Sequence, residues 1–152
     1  MSNKFEPLHA GSIVDAAMVT HIHDGLRART LPKSEWTHAA HLTAGCALLD
    51  RLGLAGAEAE MPDIIRAYND ATGVPNTNSE GYHHTITVFF LRMIDRFLIP
   101  HQKVSLPERA TRLLASPLAE RSYPLSFYSR EKLFSVEARR KWTPPDLKPI
   151  DE

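Results

Sequence analysis

Residues 34–52 constrain the fold most strongly, because they combine a helix start with a long apolar run. Ser34 is suited to cap a helix, and Gly53 is suited to follow its last turn. Residues three apart lie on the same face of a helix, so His38 and His41 are expected side by side, about one turn apart. Apolar residues continue this face, which predicts that both imidazoles point into the core of a helical bundle.

A second histidine pair, His83 and His84, opens another apolar run that extends to Leu98. Helical spacing places His83 in line with the larger hydrophobic residues, so we expect this imidazole to face inward. Three imidazole ligands and an open coordination position are typical of a catalytic metal site. The sequence therefore predicts a mononuclear metal site of His38, His41 and His83 in a metal-dependent enzyme that acts on a small molecule.

The same residues leave the metal and the reaction open. Zinc, iron and nickel all accept imidazole, so the ligand type predicts a divalent metal ion without choosing among them. In a hydrolytic version the metal lowers the pKa of bound water toward about 7, and Glu35, Glu80 and His84 are the candidates to move protons. In an oxidative version the open positions bind dioxygen.

Three other interpretations of the histidines are available. Glu35 with His38 and Glu80 with His83 have the Glu-x-x-His spacing of dinuclear carboxylate sites, which need two further inward carboxylates. The His-x-Thr pattern at His41 and His83 also occurs in two-histidine phosphoesterases, whose strands conflict with the helical pattern around His41. Finally, the chain is equally interpretable as a non-catalytic helical module that binds a small ligand or a partner chain through structural histidines.

The motifs at residues 36–42 and 81–87, with Phe-Tyr-Ser at 127–129 and Pro-Asp-Leu at 145–147, resemble those of a group of small uncharacterised bacterial proteins. That group carries Thr-His-x-x-His-Leu and Tyr-His-Glu-Thr-Ile-Thr signatures, and the likeness covers most of the chain. His84 stands where the group has glutamate, which weakens any role that needs a carboxylate there. The resemblance implies a shared site and does not imply a particular reaction.

The remaining patterns predict an all-α protein, a bundle of four to five helices. We expect helices over residues 13–28, 34–52, 62–71, 82–98 and 106–115, and a short helix within 129–142. Residues 53–59 are expected as a connector, and the β-branched run 85–88 would also suit a strand. Residues 1–11 are predicted as a flexible arm. The aromatic and proline-rich residues 117–152 are predicted as a strap that packs across the bundle.

Length and charge narrow the class of protein. The 152 residues are sufficient for a single domain, 1–152, with its own core. The 18 basic and 18 acidic residues balance, so net charge recruits neither nucleic acid nor a membrane surface. No uninterrupted apolar run reaches about 18 residues, and the single cysteine, Cys46, has no partner for an internal disulfide. We expect a soluble cytoplasmic protein that binds a small molecule, with a homodimer left open.

Overall fold

The computed structural model describes residues 5–150, which contain six α-helices and no β-strand. The helices are α1 (Ala16–Ala28), α2 (His38–Ala71), α3 (His84–Leu98), α4 (Leu106–Leu114), α5 (Arg130–Leu133) and α6 (Val136–Arg140). The predicted all-α class is confirmed, and the run 85–88 is helical rather than a strand. One hydrophobic cluster extends from Leu8 to Ile150. Within the described residues no helix is both long and apolar enough to cross a bilayer.

Helix α2 folds back on itself at Gly53, whose φ of 75° and ψ of 176° are not helical. This combination is accessible almost only to glycine. If the helix were straight, His41 and Asn69 would lie about 42 Å apart at 1.5 Å per residue. Instead both residues line one cavity, so the two arms of α2, residues 38–52 and 54–71, run back along each other.

The second arm begins earlier than its sequence indicated. Residues 53–59 were expected as a connector, with a helix starting at Pro62, but the helix resumes directly after Gly53. The residues from Leu54 to Met61 are mainly alanine, glutamate and other strong helix formers, which explains the continuous arm. Pro62 is therefore inside a helix, where it cannot donate a hydrogen bond to the carbonyl of Glu58.

Helices α1 and α2 begin later than predicted, at Ala16 and His38, because Asp15 and Thr37 cap them. Asp15 caps α1 by accepting a hydrogen bond from the amide of Met18 at 2.8 Å. Thr37, rather than Ser34, caps α2, and residues 33–35 form a separate turn of 3-10 helix. His38 is consequently the first residue of α2, and Glu35 lies outside the helix.

Both ends of the described chain pack on the bundle. Residues 1–4 of the predicted flexible arm lie outside the described residues, but Leu8 is buried, and the amide of Gly11 donates to the carbonyl of Leu114 at 2.8 Å. The strap, residues 117–150 of the predicted 117–152, crosses the bundle as short helices and turns. Tyr128 anchors it, with its hydroxyl donating to the carbonyl of Thr143 at 2.6 Å.

Candidate functional site

A cavity of about 720 Å³ lies between the two arms of α2, the start of α3 and the strap. This volume is within the range of roughly 300–1,000 Å³ found for small-molecule sites. Most of its wall is apolar. The aliphatic and aromatic residues that line it include Trp36, Leu42, Met61, Ile65, Tyr82, Ile86, Phe90, Leu91, Ile94, Leu125 and Phe134. The predicted histidines His38, His41 and His83 all line this one cavity.

His38 connects α2 to the strap. Its Nε2 lies 3.1 Å from the carbonyl oxygen of Leu118, and a carbonyl can only accept, so Nε2 carries the proton. The ring packs edge-on against Phe90, with 4.9 Å between ring centroids. Burial lowers the pKa of His38 from its usual range, which favours the neutral form.

His41 has the opposite tautomer. Its Nδ1 donates to the carbonyl of Thr37 at 2.8 Å, so the proton is on Nδ1 and Nε2 keeps its lone pair. The imidazole is stacked on the indole of Trp36 at 3.6 Å between centroids. Burial lowers the pKa of His41 to about 4, so the ring is neutral at pH 7.

His83 does not lie on a helical face as its spacing indicated, because it caps α3. Its Nδ1 accepts a hydrogen bond from the amide of Ile86 at 3.1 Å, which satisfies one of the unpaired amides at the helix start. Its Nε2 donates to the strap carbonyl of Leu133 at 2.8 Å. The residue is only 8% exposed, and burial lowers its pKa. Both ring nitrogens are thus used within the protein.

The turn before His83 fixes its position. Gly81 has a φ of +84°, and a Cβ at this site would lie 2.1 Å from the carbonyl oxygen of Pro75. The amide of Tyr82 donates to the side chain of Asn76 at 3.0 Å, and Asn76 is also bonded to Asn69 on α2. The histidine therefore enters α3 from a turn that is held against the second arm of α2.

The predicted three-histidine metal site is wrong. Residues 5–150 contain no group of three or more His, Cys, Asp or Glu side chains that could hold a metal ion. His83 has no lone pair to offer, since both of its nitrogens are bonded, and His38 with His41 would supply only two ligands. The metal-dependent enzyme predicted from that site is therefore not supported either. Zinc, iron or nickel was inferred from the same ligand set, and the described residues provide no other set in its place.

The three predicted proton carriers lie outside the lining of the cavity. Glu35 is 3% exposed and lies 2.6 Å from Nε2 of His21, on the α1 side of the turn before α2. Glu80 is exposed in the turn before α3. His84 has its Nδ1 2.8 Å from the hydroxyl of Tyr82, and burial lowers its pKa. The structure therefore does not bring Glu35, Glu80 or His84 together with His38 and His41.

Several lining residues were not predicted from the sequence. Met61 and Asn69 reach the cavity only because α2 reverses at Gly53, and the Gly53 break was the one available signal for that reversal. Arg121 and Phe134 come from the strap, where the pattern gives no periodicity. Arg121 is exposed and forms no ion pair within residues 5–150, and its charge contributes to the lowered pKa of His38.

No protein-family model, curated protein or solved structure matches this chain. The resemblance of residues 36–42 and 81–87 to a bacterial group thus stays a prediction. The other motif-based alternative, the two-histidine phosphoesterase, needs histidines on facing strands, whereas both segments here begin helices. Function is therefore inferred from the geometry of the cavity.

Proposed function

We propose that this protein binds a small apolar organic molecule in the cavity between α2, α3 and the strap. The observation that carries the proposal is the combination of a volume of about 720 Å³ with a wall that is mainly hydrophobic. Concave sites with apolar walls and a few polar groups are typical of small-molecule binding.

The polar groups of the wall support binding rather than solvation. Most are already bonded within the protein: His83 to the strap, Thr87 to the carbonyl of His83 at 2.9 Å, and Asn69 to Asn76 at 3.0 Å. Few polar groups of the wall are left free to bind water, so water that enters the pocket from solvent finds few hydrogen-bond partners there. An apolar ligand would fill this space with little loss of hydrogen bonding.

The strap forms one wall of the cavity, and a ligand could enter at the edge of this wall. Leu125 and Phe134 line the cavity from this segment, and Phe134 is 54% exposed, which places it at the rim. The carbonyl of Leu118 accepts a hydrogen bond from His38, and the carbonyl of Leu133 accepts one from His83. The cavity is therefore covered by the strap and meets solvent at the rim near Phe134.

The test is a fluorescence titration with N-phenyl-1-naphthylamine, an uncharged apolar probe, excited where tryptophan does not absorb. We expect saturable binding with one probe per chain. Ile86→Trp, which adds volume to the cavity wall, should weaken that binding about tenfold or more, because the added ring occupies the ligand space.

The matched control is Ile13→Trp, the same substitution at a residue that is 86% exposed and outside the cavity. It should leave binding unchanged. Circular dichroism verifies that both variants fold, and Ile86→Phe replaces Ile86→Trp if the larger ring prevents folding. Absent or non-saturable binding to the wild type, or equal effects of the two Ile→Trp substitutions, would refute the proposal.

A further inference from the structure

Nε2 of His41 is an unpaired hydrogen-bond acceptor in a mainly apolar wall. The Thr37 carbonyl fixes the proton on Nδ1, so the lone pair lies on Nε2. Among residues 5–150, no donor is within hydrogen-bonding distance of this nitrogen, and the residue lines the cavity. A polar atom in an apolar wall costs free energy unless a ligand or a water satisfies it.

The direction of this acceptor is fixed before any ligand arrives. One ring edge is bonded to the helix through Nδ1, and one ring face is stacked on Trp36. The imidazole therefore cannot turn Nε2 away from its position without losing the hydrogen bond to Thr37. Preorganised polar groups of this kind give a binding site its orientation and its selectivity.

The environment of the ring determines which partner this acceptor selects. Burial is the main effect that opposes protonation of His41, and the positive charge of Arg121 adds to it. The ring thus stays a neutral acceptor and does not become a cation that would attract a carboxylate. A carboxylate at this position would place its own lone pairs against that of Nε2, whereas a hydroxyl or an N–H group would donate to it.

We infer that the ligand of this cavity is an uncharged apolar molecule that carries a hydroxyl or N–H group and donates it to Nε2 of His41. This inference rests on the proposed function. The inference specifies the chemical class of the ligand, because purely hydrocarbon ligands and organic acids are both expected to bind less well. Arg121 is exposed to solvent at the cavity lining, so its charge is already hydrated there and does not require an acidic ligand.

The test compares three probes of similar shape by isothermal titration calorimetry at pH 7: 2-naphthol, 2-methoxynaphthalene and 2-naphthoate. The first two differ in whether they can donate a hydrogen bond. We expect 2-naphthol to bind about tenfold more tightly than its methyl ether, which corresponds to one hydrogen bond that would otherwise go unmade. We expect 2-naphthoate to bind least well of the three.

His41→Phe keeps an aromatic ring next to Trp36 and removes Nε2, so it should abolish the preference for 2-naphthol over the ether. The matched control is His84→Phe, because His84 lies outside the cavity lining, and it should retain the preference. An NMR measurement on the wild type tests the same point without requiring that the variant folds. The ¹⁵N resonance of the unprotonated Nε2 of His41 should shift on addition of 2-naphthol and not on addition of the ether.

The possible failures can be told apart. Equal binding of 2-naphthol and the ether, or a preference for 2-naphthoate, would overturn the inference and leave the cavity as a binding site. An unaltered preference in His41→Phe, or a stationary Nε2 resonance, would likewise overturn it. If N-phenyl-1-naphthylamine also fails to bind the wild type, the proposed function is overturned as well.

Discussion

The two histidine segments look alike in sequence and serve different purposes in the structure. Each precedes an apolar helix, and each places histidines at the first turn. In the first segment Thr37 caps the helix, which leaves His41 with an unpaired nitrogen at the cavity. In the second segment His83 is itself the cap, and its other nitrogen is bonded to the strap.

The imidazole with an unpaired nitrogen thus belongs to the helix that another residue caps. A hydroxyl side chain caps the first helix at lower cost than an imidazole would, because it is short and its natural geometry reaches the third amide. The second segment has tyrosine rather than threonine before its histidine pair. Both ring nitrogens of His83 are therefore used in hydrogen bonds within the protein, whereas Nε2 of His41 is not.

The largest expected effect concerns the turn that delivers the second segment. Gly81→Ala should lower the free energy of unfolding by about 3 to 5 kcal/mol, because it adds a left-handed backbone penalty to a steric overlap. The overlap is severe, since the new Cβ would lie 2.1 Å from the carbonyl oxygen of Pro75. Gly73→Ala is the matched control: its φ is +81°, but its Cβ would meet nothing within 4 Å. It should cost about 1 to 2 kcal/mol in urea unfolding. Equal losses would show that the turn tolerates the overlap.

Removal of the His83 imidazole should lower the free energy of unfolding less than Gly81→Ala does, and more than the loss of a helix cap alone. His83→Ala should lower the free energy of unfolding by about 2 to 4 kcal/mol, from a lost cap and an unsatisfied carbonyl at Leu133. His83→Asn keeps a capping side chain but is too short to bond the strap, so it should recover about 1 kcal/mol of that loss. Urea unfolding at pH 7 measures both. Identical values for the two variants would contradict the capping role.

The sequence was sufficient for the helical class, because amphipathic spacing reports which faces are buried. It was not sufficient for the role of each histidine. Whether His83 faces inward from a helix or caps it depends on where α3 begins, and that start differs by two residues from the predicted one. The hydrogen bonds to Leu118 and Leu133 depend on the path of the strap, which has no periodic pattern to reveal it.

The reversal of α2 had a similar limit. Gly53 was recognised as an end of the first arm, but nothing local indicated that the second arm would begin at once and lie against the first. That arrangement depends on tertiary contacts, such as the edge-on packing of Trp36 on Tyr68 at 5.6 Å. The position of Met61 and Asn69 in the cavity wall follows from these contacts and could not be predicted without them.

His41, in the first histidine segment, should make the free energy of unfolding depend on pH. Burial lowers the pKa of His41 to about 4 in the folded chain, whereas an unfolded histidine titrates near 6.5. Between these values the unfolded state binds a proton that the folded state does not, so stability is complete above pH 6.5 and is lost as pH falls toward 4. We expect a loss of about 1 to 3 kcal/mol over this window. Urea unfolding at a series of pH values measures it.

His41→Phe serves as the control for that pH dependence. It should flatten the slope without abolishing it, since burial also lowers the pKa of His38, His83 and His84 in the folded state. These three histidines therefore contribute with the same sign. A slope that is identical in the variant and the wild type would show that His41 is protonated equally in the folded and unfolded chains.

The smallest expected effect tests the cap that frees His41 for the cavity. Thr37 accepts a hydrogen bond from the amide of Ala40 at 3.1 Å and donates to the carbonyl of Leu8 at 2.7 Å. Thr37→Ala should therefore lower the free energy of unfolding by about 1 to 2 kcal/mol, and Thr37→Ser should restore most of it. Ser34 was the cap expected from sequence alone, but it is exposed in the preceding turn, so Ser34→Ala should change stability by less than about 0.5 kcal/mol. If Ser34→Ala costs more than Thr37→Ala, the helix begins where the sequence indicated and Thr37 is not its cap.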